Sequence, residues 1–140
     1  MTGTIAAIVV CVAGLLGETP PADAQGIVTP IVRLVSPAQL ARPVPRGWDA
    51  RSWSRRGGGR FTRSARQSPR NALIEIDETR HRDGDILLAH EVAHFVLWAN
   101  GREWRHLDDN GRRTDVDRLI AWVERKFRRH CAGAATGAPA

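Results

Sequence analysis

Two histidines and a glutamate stand close together in the segment His90-Glu91-Val92-Ala93-His94. Residues four positions apart lie on one face of an α-helix, so both imidazoles can reach a single Zn²⁺ ion. Glu91 is rotated by about 100° from His90 around such a helix, which puts its carboxylate beside the metal, where it can take a proton from an activated water. The pattern therefore predicts His90 and His94 as zinc ligands and Glu91 as a general base.

The surrounding sequence predicts a buried helix over residues 86–99. Asp85 is a suitable N-cap residue, and Asn100-Gly101 is a typical helix stop. The helix is apolar on every side except for the two histidines and the glutamate, which is typical of a buried helix. Burying these polar groups is costly unless they have partners. Two other interpretations stay open: histidines satisfied by hydrogen bonds alone, and a metal site without catalysis.

Two further elements flank this helix. Residues 72–77 alternate partly between apolar and acidic side chains, which predicts a β-strand. Downstream, Thr114 is a suitable N-cap for a second helix. The apolar side chains of that helix recur at helical spacing and form a core stripe: Val116, Leu119, Ile120, Val123 and Phe127. Together these elements predict an α+β domain.

Residues 87–96 resemble the active-site helix of the zincin metallopeptidases, and the small gluzincins are the nearest in size. The resemblance covers residues 72–128, from the strand through the motif helix and a loop to the second helix. It implies a small zincin-like domain with an edge strand over residues 72–77 that pairs with extended substrate, a buried motif helix and a second packed helix. It also implies zinc-dependent hydrolysis of peptide bonds, with Glu91 as the base.

The motif leaves the third zinc ligand open. Leu97 and Asn100 stand where the metzincin subfamily has a glycine and its third histidine, so the resemblance favours the gluzincin arrangement, with a carboxylate from the second helix. We choose Asp117 because it lies in the first turn of that helix and on a border of its apolar stripe. The alternatives are Asp115, Glu124, Glu103 and His106.

His106 has a second candidate role. Many zincins stabilise the oxyanion of the reaction with a tyrosine or a histidine, and this chain contains no tyrosine. The resemblance therefore suggests His106 as the oxyanion-stabilising residue. The nearby sequence Asp108-Asp109-Asn110-Gly111 predicts a turn.

The N-terminal segment has the pattern of an export signal. Residues 5–17 form an uncharged apolar run of signal-peptide length, and Ala22-Asp23-Ala24 is a small-x-small cleavage site before Gln25. This predicts a signal peptide over residues 1–24 and a secreted or periplasmic protein. No Lys or Arg precedes the run, so a buried N-terminal element, or a misassigned start codon and a cytoplasmic protein, are the alternatives.

Basic residues are concentrated upstream of the motif. Residues 42–70 contain nine arginines and a single acid, Asp49, with interleaved aromatic residues and a Gly57-Gly58-Gly59 run. The prolines and the missing apolar period predict a largely irregular, loosely attached arm over residues 25–70, with one short strand at residues 31–35. The alternative function is therefore a basic binding protein whose arm contacts nucleic acid or an anionic surface.

Length and composition limit the remaining possibilities. A chain of 140 residues, 42% of them hydrophobic, suits one domain, with residues 71–130 as the predicted metallopeptidase core and 131–140 as a flexible tail. Two cysteines exclude a disulfide-rich scaffold, and export would leave Cys131 as a lone thiol. No apolar run has the length that spans a bilayer. The predicted partners are a protein or peptide substrate and a non-specific anionic partner of the arm.

Overall fold

The computed structural model describes residues 2–51, 57–64 and 68–136, which form an α+β domain, as predicted. The helices of these residues are α1 (Thr2–Leu16), α2 (Pro37–Leu40), α3 (Gly84–Ala99), α4 (Val116–His130) and α5 (Ala132–Thr136). The strands are β1 (Ala22–Asp23), β2 (Gly26–Ile27), β3 (Ile31–Val35), β4 (Asp49–Arg51), β5 (Gly59–Thr62) and β6 (Leu73–Asp77), and a 3₁₀ turn spans Pro69–Asn71.

The main sheet has four strands in the order β3-β6-β5-β4. β3 runs parallel to β6, whereas β5 runs antiparallel to both of its neighbours. The strand predicted over residues 72–77 is present as β6, but it is an inner strand, so its prediction as an edge strand is wrong. Within the described part of the chain, β3 and β4 form the two edges of this sheet.

The segment from residue 25 to 70 contributes β3, β4 and β5, so the prediction of a largely irregular arm is wrong for these strands. Of these three strands, only β3 lies where the sequence predicted a strand. A charged side chain in the arm can be buried when it has a partner, as Arg60 of β5 shows by pairing with buried Glu75 of β6 at 2.6 Å. Residues 52–56 and 65–67 of the arm lie outside the described residues, and binding through the arm stays a prediction.

Helix α3 lies between the sheet and two other helices. It contacts β5 and β6, and it also contacts α1 and α4. Its side chains are buried from Leu87 to Leu97 with the exception of Leu88, as its apolar composition predicts. The helix ends as predicted, because Gly101 adopts a φ of +71° and the Arg102 amide donates to the Leu97 carbonyl.

Helix α1 belongs to the same hydrophobic core. Ile8, Val9 and Val12 are buried in it, and a disulfide joins Cys11 to Cys131 at the end of α4. In the intact chain Cys131 is therefore bonded, and residues 132–136 form α5, so this part of the predicted tail is helical, while the lone thiol expected after export stays a prediction. The signal peptide and the localisation stay predictions. Within the described residues, no helix has both the length and the apolar character that crossing a membrane requires.

Candidate metal centre

Three buried histidines converge on one point. The Nε2 atom of His106 lies 3.2 Å from Nε2 of His90 and 3.0 Å from Nε2 of His94. One nitrogen from each ring lies within 4.8 Å of the others, so the three side chains are close enough to hold a metal ion. Tetrahedral zinc with nitrogen ligands at about 2.0–2.1 Å requires a nitrogen separation of about 3.4 Å, which these rings approach.

Helix α3 supplies two of these histidines. The spacing of four residues places His90 and His94 on one helical face, as predicted from the sequence. Both rings are buried, with exposed fractions of 6% and 0%. Because the sheet, α1 and α4 surround α3, these rings are fixed inside the domain rather than on its surface.

The third histidine comes from the loop between α3 and α4. A β-bridge pairs Leu107 with Arg113, and the Thr114 amide donates to the His106 carbonyl at 2.9 Å. The predicted turn at residues 108–111 closes this small hairpin, with the Asp108 carboxylate accepting from the Asn110 amide and Gly111 at a φ of +75°. The hairpin therefore holds His106 against α3.

Each histidine is oriented by an acceptor on its other ring nitrogen. The Nδ1 atom of His90 bonds a Glu124 carboxylate oxygen at 2.5 Å, and Nδ1 of His106 bonds the Asp117 carboxylate. Nδ1 of His94 bonds the Trp104 carbonyl. In the tautomer in which each Nδ1–H donates to its oxygen, every Nε2 atom keeps its lone pair, and the three lone pairs face one another. A bound cation would relieve the repulsion among them.

Asp117 does not occupy the position that the sequence analysis gave it. Its carboxylate lies behind His106, so Asp117 supports a candidate ligand, and the ligand position itself belongs to His106. The Glu124 carboxylate likewise lies behind His90. The other two acidic alternatives form ion pairs, Glu103 with Arg105 and Asp115 with Arg118. A carboxylate at the border of the α4 stripe reaches an imidazole first, so Asp117 lies outside the three-histidine group, and its role as a zinc ligand stays a prediction. The same geometry makes His106 a candidate ligand rather than an oxyanion donor.

A cluster of aromatic rings positions the Trp104 carbonyl. The Phe61 ring of β5 lies 5.4 Å from the Trp104 ring and 5.8 Å from the Trp98 ring, measured between centroids. These contacts anchor the chain just after α3, where its backbone meets His94. No residue type marks a backbone acceptor, so the sequence analysis missed this contact. The contacts of Asp117 and Glu124 with histidines do have a sequence signal, because both residues share one border of α4.

Glu91 is fully buried and lies against β5. Neither carboxylate oxygen accepts a hydrogen bond from the described residues. A Cβ atom added at Gly59 would lie 2.8 Å from Oε1, so glycine permits this close approach. Burial raises the pKa of Glu91 well above its usual value, and the charges of Glu124 and Asp49 add to this, while the nearby Phe61 amide opposes it without reaching hydrogen-bonding geometry.

The electrostatics of the cluster favour neutral imidazoles. Burial lowers the pKa of His94 well below its usual value, and the neighbouring rings of His90 and His106 lower it further. Burial also lowers the pKa of His106, against the opposing effect of its hydrogen bond to Asp117. Neutral imidazole is the form that coordinates a metal ion.

Two cavities reach the histidine cluster. The larger, of about 650 Å³, is lined by His106 together with Asp49, Ala50 and Arg51 of the edge strand β4. The smaller, of about 430 Å³, lies between α3 and α4 and is lined by His90 and His106, among others. His90 and His106 therefore line cavities, whereas His94 and Glu91 line neither of the two.

The structure thus brings together His90 and His94 of α3 and His106, with Asp117 behind His106, while the carboxylate of Glu91 lies outside this group, against Gly59 of β5. Comparison with known proteins found no family model, no curated protein and no solved structure that matches this chain.

Proposed function

We propose that this chain is a zinc-dependent endopeptidase. The observation that carries the proposal is the convergence of three oriented histidines, two of them from α3. On the same helix, Glu91 follows His90 directly, and its buried carboxyl group has no hydrogen-bond partner among the described residues. Buried polar groups normally have partners, and a buried carboxyl without one, on the same helix as two candidate metal ligands, is a candidate catalytic group.

The donor set fits zinc. Three imidazole ligands with a remaining open position form a common arrangement in catalytic zinc sites, whereas hard cations such as Mg²⁺ and Ca²⁺ prefer oxygen ligands. His90, His94 and His106 would hold the ion, and Glu124, Asp117 and the Trp104 carbonyl would orient them. Zinc, when bound, supplies a Lewis acid that polarises a carbonyl group and acidifies water.

The protein groups supply the remaining steps of peptide hydrolysis. Glu91 takes a proton from the attacking water and passes it to the leaving amine. An extended peptide would lie along the larger cavity, where the edge strand β4 and His106 share the same wall. Unpaired strand edges bind extended peptides through their backbone groups, which supports a peptide as the substrate.

A Glu91→Gln variant tests this proposal. We expect its peptidase activity on a mixed peptide substrate to fall by about 10²–10⁴-fold, because the amide does not accept the proton, while the zinc content stays unchanged. Glu103→Gln is the matched control, since Glu103 is an exposed carboxylate in an ion pair with Arg105. Full activity in the Glu91→Gln variant, or zinc-loaded wild-type protein without peptidase activity, would reject the proposed mechanism.

A further inference from the structure

The outer side of α4 carries charged and aromatic residues that the metal centre does not use. The inner side of this helix is buried through Val116, Ile120, Val123 and Phe127. Residues at positions i, i+4, i+7, i+8 and i+11 share one helical side, and here they form what we call the α4 basic face: Arg118, Trp122, Arg125, Lys126 and Arg129.

Three of the four cations of the α4 basic face lack an acidic partner among the described residues. Several arginines elsewhere pair closely with acids, as Arg80 does with Asp83 at 2.5 Å. Arg125, Lys126 and Arg129 form no ion pair within the described part of the chain. Like charges three and four positions apart repel one another and destabilise a helix. The concentration of positive charge on this face therefore lowers the stability of the isolated helix.

The helix dipole does not account for this arrangement. A cation in the last turn, such as Arg129, is favourable, but a cation in the first turn is not. Arg118 lies in the first turn of α4, and its contact with Asp115 is long, at 3.6 Å, between two side chains that are more than 80% exposed. An external anion is the partner that fits this row of charges.

Trp122 indicates which kind of anion fits. Its side chain is 43% exposed in the middle of the cations, and the Lys126 ammonium lies 4.8 Å from its ring centroid. Binding to a lipid surface requires several apolar side chains that insert, and Trp122 is the one large apolar residue of this face. A lone exposed ring among cations instead suits a base that stacks while phosphates bind the neighbouring charges.

We propose that the α4 basic face binds single-stranded nucleic acid. The guanidinium groups of Arg118, Arg125 and Arg129 bind phosphates, for which their planar donors are well suited, and Trp122 stacks on a base. A duplex hides the faces of its bases, so a single strand binds more tightly than a duplex. The surface acts independently of the proposed peptidase, since Asp117 and Glu124 lie on another side of the helix.

A charge-matched comparison on the full-length chain tests the proposal. Binding of a short labelled oligothymidylate is followed by fluorescence anisotropy across a salt series. We expect the Arg118→Gln/Arg125→Gln/Arg129→Gln variant to bind about tenfold or more weakly and to lose about 2 from the slope of log affinity against log salt, near 0.7 for each phosphate contact. The control variant removes the same charge from exposed arginines elsewhere: Arg33→Gln, Arg82→Gln and Arg112→Gln.

Substitution of Trp122 separates stacking from charge. We expect Trp122→Ala to weaken oligothymidylate binding about fivefold or more, and Trp122→Phe, which keeps an aromatic ring, to retain most of the affinity. Circular dichroism checks that each variant is folded. Equal losses in the two triple variants, an unchanged affinity of Trp122→Ala, or tighter binding of heparin, a duplex or phosphatidylserine vesicles than of the oligonucleotide would overturn the proposal.

Discussion

At the scale of single residues, the hydrogen bonds on Nδ1 decide what the three histidines can do. His90 and His106 each face a carboxylate of α4, and His94 faces a carbonyl, so every Nε2 atom is available to a cation. A carboxylate behind a histidine also makes the imidazole a better ligand. Asp117 and Glu124 therefore orient two of the three candidate ligands.

The Asp117→Asn and Glu124→Gln variants test these supporting roles. Each should lower the zinc affinity by about 10–100-fold while one zinc ion per chain still binds at saturation, because the ligands remain but lose a fixed orientation. A competition titration with a chromophoric chelator measures the affinity. Asp115→Asn is the matched control, since the side chain of Asp115 is 86% exposed. A complete loss of stoichiometric zinc in Asp117→Asn would instead identify Asp117 as a ligand.

At the scale of elements, the close approach of β5 to α3 places Glu91. Gly59 lies opposite the Glu91 carboxylate, and a Cβ atom there would meet Oε1 at 2.8 Å and Cγ at 2.9 Å. Gly59, which lies in the arm predicted to be largely irregular, therefore forms a buried contact between a strand and the motif helix. The sequence pattern did not reveal this, because short strands rich in glycine and arginine carry no apolar period.

A Gly59→Ala substitution tests this contact. We expect a loss of about 1–3 kcal/mol in the free energy of unfolding, because the added methyl group forces α3 and β5 apart. Urea denaturation followed by circular dichroism measures it. Gly14→Ala in α1 is the control, since no atom lies within 4 Å of an added Cβ there and alanine favours a helix. An unchanged stability of Gly59→Ala would contradict the close packing of these elements.

At the scale of the whole molecule, the fold joins segments that the sequence analysis treated as separate. The predicted signal segment forms a core helix, the predicted arm supplies three strands of the main sheet, and the disulfide connects α1 to the end of α4. Helix α3 and strands β3 and β6 were predictable because strong apolar patterns mark them. The position of His106 was not predictable, because a loop residue is placed by hairpin contacts that have no sequence period.

Reduction of the disulfide should destabilise the intact chain. Cys11 and Cys131 are separated by 120 positions, and closing so long a loop stabilises a fold by about 4–5 kcal/mol in the chain-entropy description. Urea unfolding with and without reductant measures the difference. The Cys11→Ser/Cys131→Ser variant should show the lower stability and no response to reductant. Identical unfolding midpoints of the intact chain in both conditions would contradict this prediction.

The most direct measurement is the zinc content of the full chain and of its His106→Ala variant after reconstitution and desalting. His106 belongs to the buried cluster, whereas His81 is exposed, so His81→Ala is the matched control. We expect one zinc ion per chain in the wild type and in His81→Ala, and a loss of stoichiometric zinc in folded His106→Ala. Equal zinc contents in all three proteins, or no zinc in folded wild-type protein, would contradict the three-histidine centre.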